Sequence, residues 1–331
     1  ALTVDLTHLR KQKWEIALLS CVSTIISAFL IAGAVYYLLR FFNINLAFIY
    51  CLLFGSLISP TDPIAVLAIF KQVGAPKTLE TAVTAEALFN DGVGVVLFLT
   101  AYHVAFSHGV TTTSSVLWLF FREAIGGIVY GLILGLITCW LIKPIKDFKL
   151  EMMLTIALVL GAYTFAQTLF ISGPLAMVVA GIMVANYRRQ ETMNSESRRY
   201  LENTWEMIDE MLNMLLFLLL GFEILVIHFT LIEIMIALAI IPIVLFVRFL
   251  TVALPMNLLR PWRHVIPHSI SILTWGGLRG GLAVALAFSL PITGGGARSW
   301  LLAFTYAVVV FSILVQGTTI KGLVKRARGQ A

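Results

Sequence analysis

The sequence predicts an all-α polytopic membrane protein of about ten transmembrane helices, with inverted repeats and two discontinuous crossing helices. Three observations lead there. The 331-residue chain is 60% hydrophobic and 12% charged, with a mean hydropathy of +0.95, whereas soluble domains run at about 25% charged. Its apolar residues gather into ten runs, most of them long enough to cross a bilayer. Two of those runs are interrupted by prolines or glycines at mid-depth, at 59–63 and 276–281.

The runs cover about 15–39, 46–70, 80–102, 116–142, 150–170, 173–187, 204–227, 230–250, 266–290 and 299–320. The first follows a polar stretch, Val4 to Lys13. With Ala1 rather than Met at the start, further segments ahead of it are expected. The second contains Ser59-Pro60-Thr61-Asp62-Pro63. Pro60 and Pro63 remove backbone donors and clash with the preceding turn, so the helix breaks there. Unwound backbone at membrane depth is tolerated only where it is buried in protein or lines a wet cavity. Asp62 lies inside the break, and an acid at that depth is costly unless it meets an ion, a proton or a partner charge. A binding site near the midplane accounts for both features. The plainer alternative is a proline kink whose acid stays neutral or paired.

The third run carries Glu86-Ala87-Leu88-Phe89-Asn90-Asp91-Gly92. Glu86 and Asn90, four apart, share a helix face, and Asp91 is turned about 100° from Asn90. Consecutive spans are usually neighbours, so Asp62 and Asp91 are expected to face a common cavity. Two such carboxylates can hold a hard cation or a proton, and the two compete for the same oxygens. That competition is the minimum machinery of exchange. The alternative is that Asp91 only caps the broken helix.

Arg122-Glu123 and Glu151 fall near span ends, where interfacial pairing is expected. The loop Tyr187 to Asn203 is basic and then mixed. Trp205, Met207, Ile208, Met211 and Leu212 follow at helical spacing among Glu206, Asp209 and Glu210, as in a helix starting at the cytoplasmic interface. Glu223 and Glu233 flank an outer loop at His228, to be read as solvated acids or as a cation funnel. His264 and His268 are either pH sensors or ordinary loop histidines.

The eighth run contains Arg248, and the ninth contains Trp275-Gly276-Gly277-Leu278-Arg279-Gly280-Gly281. A guanidinium cannot shed its proton, so each must be paired or capped. Glu86 is the natural partner for Arg248. The glycines around Arg279 predict a second discontinuous helix, with Arg279 meeting freed carbonyls. The first three runs then correspond to the last three with inverted topology. Paired interrupted helices in corresponding positions point to the binding site of a secondary transporter.

Charge sets the orientation. Of 23 Lys and Arg, all but Arg40, Arg298 and the three within spans (Arg122, Arg248, Arg279) fall on one set of loops and ends. The positive-inside rule puts that set, with both ends of the chain, in the cytoplasm. This placement accounts for the net charge of +6 without nucleic acid. Cys21, Cys51 and Cys139 lie inside apolar runs with no disulfide or zinc spacing.

The stretch Phe54-Gly55-Ser56-Leu57-Ile58-Ser59-Pro60-Thr61-Asp62-Pro63-Ile64-Ala65-Val66-Leu67 resembles the signature of the monovalent cation:proton antiporters of the NhaP/NHE (sodium/hydrogen exchanger) type. Glu86 to Val96, Gly276 to Gly281 and Val315-Gln316-Gly317 resemble further signatures of that family, in the same order. The resemblance implies thirteen spans, of which these ten would be the last. It implies that Asp91 is the main cation and proton carrier, that Asp62 and the Thr61 carbonyl help form the cation site, and that Glu86 and Arg248 are a buried pair beside Asn90. An Asn90-Asp91 pair, where relatives have two acids, implies electroneutral exchange. One departure is Ala87, where members of the family often have a serine that can ligate the ion.

These readings converge on a secondary antiporter exchanging Na⁺, Li⁺ or K⁺ for H⁺ in the cytoplasmic membrane, with roles in pH and cation homeostasis, no cofactor and a homodimeric state. Segments 15–102 and 230–321 would form a moving core. Segment 150–227 would form the scaffold and dimer contact, and 116–142 a linker helix. An intramembrane aspartyl protease also uses two membrane acids, but it needs a Gly-x-Gly-Asp element that neither Asp62 nor Asp91 has. A cation channel would carry ions without a competing proton.

Overall fold

A computed structural model describes residues 16–73, 77–106, 112–145, 147–190, 195–226, 230–259, 269–291 and 296–329. Among them the fold is almost wholly helical. The helices are α1 (Leu18–Phe41), α2 (Phe48–Ile58), α3 (Ile64–Val73), α4 (Lys77–Phe106), α5 (Thr113–Ile142) and α6 (Phe148–Thr168). There follow α7 (Gly173–Gln190), α8 (Ser195–Val226), α9 (Leu231–Leu259), α10 (Ser269–Trp275) and α11 (Gly281–Phe288). The last, α12, runs through Ala297–Phe311, a π turn at Ser312–Gln316, and Gly317–Gly329. α1 also opens with a π turn, Leu18–Val22.

Each of the ten predicted spans falls on helix, and the two interrupted ones are split, into α2 with α3 and α10 with α11. Among the described residues six helices are long and apolar enough to cross a membrane: α1, α4, α5, α6, α9 and α12. α2 and much of α7 are shorter apolar helices. The stretch read as a loop between Tyr187 and Asn203 is largely helical, because α7 continues to Gln190 and α8 begins at Ser195. His228, His264 and His268 lie outside the described residues, as does the side chain of Glu223.

The chain forms two compact units, one of residues 110–217 and one of residues 12–109 with 218–331. In the first, α5 packs along α7, and α6 packs against both. Gly127, Gly131 and Gly135, one every fourth residue, line the face of α5 that meets α7, where a Cβ on Gly131 would overlap the Ala176 carbonyl. Lipid supplies no hydrophobic drive between helices, so small residues that let backbones approach are what hold such a pair. Polar bonds add to it. Tyr130 donates to the Ala162 carbonyl at 3.1 Å, and the Trp205 indole donates to Thr155 Oγ1 at 3.2 Å.

Glu123 and Glu151, near the ends of their spans, are buried, at 3% and 1% exposure. Arg122 donates to the Leu169 carbonyl at 3.0 Å and covers the Phe170 ring. Glu233 is neither solvated nor part of a funnel. It is buried at the start of α9, accepting the Thr230 N–H and hydroxyl at 2.8 and 2.9 Å and the Ser299 hydroxyl at 2.8 Å. That is a capping box, which satisfies donors the helix start would leave orphaned.

In the second unit α1 packs on α2 and α9, and α9 on α12. Ser23 of α1 donates to the Thr251 carbonyl at 2.6 Å. Leu19, Val66, Phe70, Val83, Val252, Met256, Ile272 and Leu273 share one buried apolar cluster that includes Leu278, Ile320 and Val324. That cluster joins α1, α3, α4, α9, α10 and α12 beside the two breaks.

Substituting Gly131→Leu should force α5 from α7 and destabilise the first unit by about 1–3 kcal/mol, the usual cost of overpacking. Thermal unfolding of the purified protein in detergent would read this as a lowered midpoint. An unchanged midpoint would mean that the helices do not depend on their close approach.

Candidate functional site

The site forms where the two broken helices meet. α2 ends at Ile58 because Pro60 offers no N–H and its ring displaces the carbonyl four residues back. Ser59 donates its hydroxyl to the Gly55 carbonyl at 2.6 Å. α3 begins directly after Pro63, whose fixed φ suits entry to a helix, and the Pro63 carbonyl accepts the Leu67 N–H at 2.8 Å. Between α10 and α11 the glycine-rich stretch 276–280 is unwound. The two breaks are tied by one antiparallel bridge, in which the Asp62 N–H donates to the Leu278 carbonyl at 2.8 Å.

A helix that stops inside a membrane leaves bare carbonyls at one end and bare N–H groups at the other, with partial negative and positive charge respectively. Here the ends face opposite formal charges. Arg279 Nη1 donates to the Ser59 and Pro60 carbonyls, at 2.6 and 2.7 Å, just past the end of α2. Arg248 donates from Nε and Nη2 to the Leu273 carbonyl in the last turn of α10, at 3.3 and 3.1 Å. At the other polarity, the Asp62 carboxylate lies against Gly280, the residue that precedes α11, so closely that a Cβ there would overlap Oδ2. A Cβ on Gly277 would stand 2.6 Å from Arg248 Nε. These two glycines let one acid and one base reach the backbone.

α4 supplies the third side. Arg248 Nη2 is 2.7 Å from Glu86 Oε1, and the residues are 5% and 2% exposed, so this is a buried ion pair. One turn along, the Asn90 amide donates to Thr61 Oγ1 at 2.8 Å and accepts the Thr61 N–H at 3.4 Å. The first break is thus held by Asn90 and not by Asp91. Asp91 is half-buried on the adjoining strip of α4, within electrostatic reach of Asp62. A small cavity, with room for about one water-sized particle, is lined by Thr61, Asp62, Glu86, Ala87 and Arg248 with apolar neighbours. Asp91 is not among its lining residues. Among the described residues no three His, Cys, Asp or Glu side chains cluster as metal ligands. A cation held by Asp62 or Asp91 would therefore need further oxygen ligands, from backbone, hydroxyl or water, to complete its shell.

The structure brings together Pro60, Thr61, Asp62, Pro63, Glu86, Asn90, Arg248, Gly277, Arg279 and Gly280, from four segments of the chain. Three features were not read from the sequence. Gly94 of α4 accommodates the Pro60 ring, where a Cβ would overlap it. Arg279 caps carbonyls of the other broken helix, 219 and 220 residues away in sequence. Ser312 accepts the Arg279 N–H at 2.8 Å. A serine or a glycine within an apolar run carries no signal of such a role.

Known proteins resemble this chain in sequence and in fold. Residues 1–326 match the family described as sodium/hydrogen exchanger, transmembrane. The chain is 47% identical to the Na(+)/H(+) antiporter NhaP of Pseudomonas aeruginosa, over 98% of this chain and 77% of that protein. It is 37% identical to the Na(+)/H(+) antiporter NhaH of Halobacillus dabanensis, over 96% of this chain and 77% of that one. Its fold is similar to that of the sodium proton antiporter MjNhaP1 of Methanocaldococcus jannaschii, solved at pH 8, with a TM-score of 0.80 and 19% identity, covering 99% of this chain and 82% of that one.

Truncating either partner of the Glu86–Arg248 pair, as Glu86→Leu or Arg248→Met, should destabilise by about 3–5 kcal/mol, because it strands a buried charge. The double variant should cost much less, leaving chiefly the Leu273 carbonyl without its donor. Unfolding midpoints of the four proteins in detergent test this, and strictly additive losses would contradict energetic coupling between the two side chains.

Proposed function

The chain belongs to the sodium/hydrogen exchanger family, and on that premise we propose that it is a secondary active antiporter exchanging Na⁺, or the related Li⁺ or K⁺, for H⁺. Transport rather than enzymatic chemistry is the reading, with the cation and the proton as cargo. The observation that carries it is the pair of acids at the crossing. Glu86 is committed to Arg248 at 2.7 Å, and the carbonyl ends of α2 and α10 are capped by arginines. Asp62 and Asp91 stand within electrostatic reach of each other, as two carboxylates sharing one cation or proton would. In this reading Asp91 carries either a cation or a proton. Asp62 and the Thr61 carbonyl complete the cation's shell, with water in the place a side chain at Ala87 does not fill. Asn90 holds Thr61 in position.

The formal charges then set the stoichiometry. Asp62, Glu86 and Asp91 are offset by Arg248 and Arg279, so the ionised site carries one net negative charge. One cation or one proton on Asp91 brings it to zero. The loaded site has the same charge in both half-cycles, provided Asp62 keeps one protonation state. The same reading takes 15–102 and 230–321 as the moving core, 150–227 as scaffold and homodimer contact, and 116–142 as linker. It places both ends of the chain in the cytoplasm of a cytoplasmic-membrane protein.

Two outcomes are expected in proteoliposomes of the full-length protein. Asp91→Asn and Asp62→Asn should each abolish Na⁺-driven proton flux in a protein that still folds, because an amide does not titrate. Proton-coupled flux at the wild-type rate in Asp91→Asn would reject the assignment. For the wild type, imposing a K⁺/valinomycin potential should leave the rate unchanged, whereas uncompensated charge would feel about 2.3 kcal/mol per 100 mV. A clear change of rate would reject one-for-one exchange, and flux without proton movement would favour a channel.

A further inference from the structure

The second break is also held by uncharged groups. α12 passes beside it and bonds to it at three points. Ser312 Oγ accepts the Arg279 N–H at 2.8 Å, Gln316 Nε2 donates to the Trp275 carbonyl at 3.0 Å, and the Trp275 indole donates to Thr319 Oγ1 at 2.8 Å. Ser312 and Gln316 are buried, at 0% and 3% exposure. They are also the first and last residues of the π turn, in which the Gly317 N–H reaches back five residues to the Ser312 carbonyl. We propose that this π turn is a positioning device, and that Ser312 and Gln316 are positioning residues holding the 275–279 backbone in the register that puts the Arg279 guanidinium on the α2 carbonyls.

Three observations support the assignment. A π turn holds one more residue than an α turn. Without it, everything beyond would be rotated by about 100°, carrying Gln316 and Thr319 off Trp275 while Ser312 stayed in place. Second, the contacts bracket the break, two at Trp275, the last residue of α10, and one at Arg279. Third, Gln316 lines a small cavity together with Gly277, Arg248 and Arg279. The Arg279 residue is thereby fixed at both ends, by Ser312 at its main chain and by Ser59 and Pro60 at its side chain. Movement of α12 is passed to Ser59 and Pro60, the two residues directly ahead of Thr61 and Asp62. Ser312 and Gln316 do not touch the cargo. They set where the charge that faces it stands.

The transport arm of the test rests on the antiporter reading, so a second arm is independent of it. Hydrogen–deuterium exchange on the purified full-length protein should show amides of 276–281 and 59–62 exchanging roughly tenfold faster in Ser312→Ala, from loss of one buried hydrogen bond, with protection elsewhere retained. Ser312→Thr, which keeps the hydroxyl, should restore it. In proteoliposomes Ser312→Ala should raise the Na⁺ concentration for half-maximal exchange roughly tenfold, by the same estimate, with a smaller change in maximal rate and with rescue by Ser312→Thr. Should Ser312→Ala fail to fold, Gln316→Met keeps the length, loses the donor and carries the same two measurements. Wild-type protection and half-saturation in the folded variant would overturn the proposal. A wild-type protein without exchange would instead reject the antiporter reading, leaving the deuterium arm to judge the π turn.

Discussion

The site depends on one arrangement, the arginine of one broken helix sitting on the bare carbonyls of the other. Arg279 donates to Ser59 and Pro60, and the Asp62 N–H returns a bond to Leu278. Neither break is stable alone in a membrane, where an unsatisfied backbone group costs several kcal/mol and no water is at hand. Each supplies what the other lacks. The guanidinium is a fitting group for the task, since it is always charged and carries several donors in a rigid plane.

Once the carbonyl ends are capped by Arg279 and Arg248, the rest follows from charge. Arg248 adds a second positive charge, which Glu86 neutralises. The N–H end of α11 favours a negative group, and Asp62 stands there against Gly280. Asn90 binds Thr61 through both atoms of its amide, a task that needs a donor and an acceptor together. An ionised carboxylate at that position would offer only acceptors. The choice of an amide at 90 thus has a structural basis beside any effect on the number of charges moved.

The unit of residues 110–217 is held by a different physics. Its α5–α7 contact is a glycine stripe against the backbone of Ser172, Ala176 and Ala180, which gains dispersion energy and loses little side-chain entropy. The glycines themselves bring no charge to rearrange. The unit of residues 12–109 and 218–331 is held at its centre by directional bonds between charged groups and broken backbone. Bonds of that kind can be remade with different partners at modest net cost, as a moving site would require.

Periodicity, composition and the two interruptions were enough to read the fold class from the sequence, because a bilayer admits so few ways of satisfying a backbone. The breaks were legible because proline and clustered glycine act on their own chain. Asp62, Glu86, Asn90, Asp91, Arg248 and Arg279 were legible because polar groups at membrane depth stand out against an apolar background. The sequence did not reveal which carbonyls Arg279 meets, that Asn90 rather than Asp91 holds Thr61, or that Ser312 and Gln316 grip the second break. Nor did it show that Glu123, Glu151 and Glu233 are buried. The contacts of Arg279, Asn90, Ser312 and Gln316 are pairings between elements, and the burial of the acids depends on which helix faces meet. The partner of a buried polar group is decided by the rotation and depth at which helices pack, and those come only with the tertiary structure.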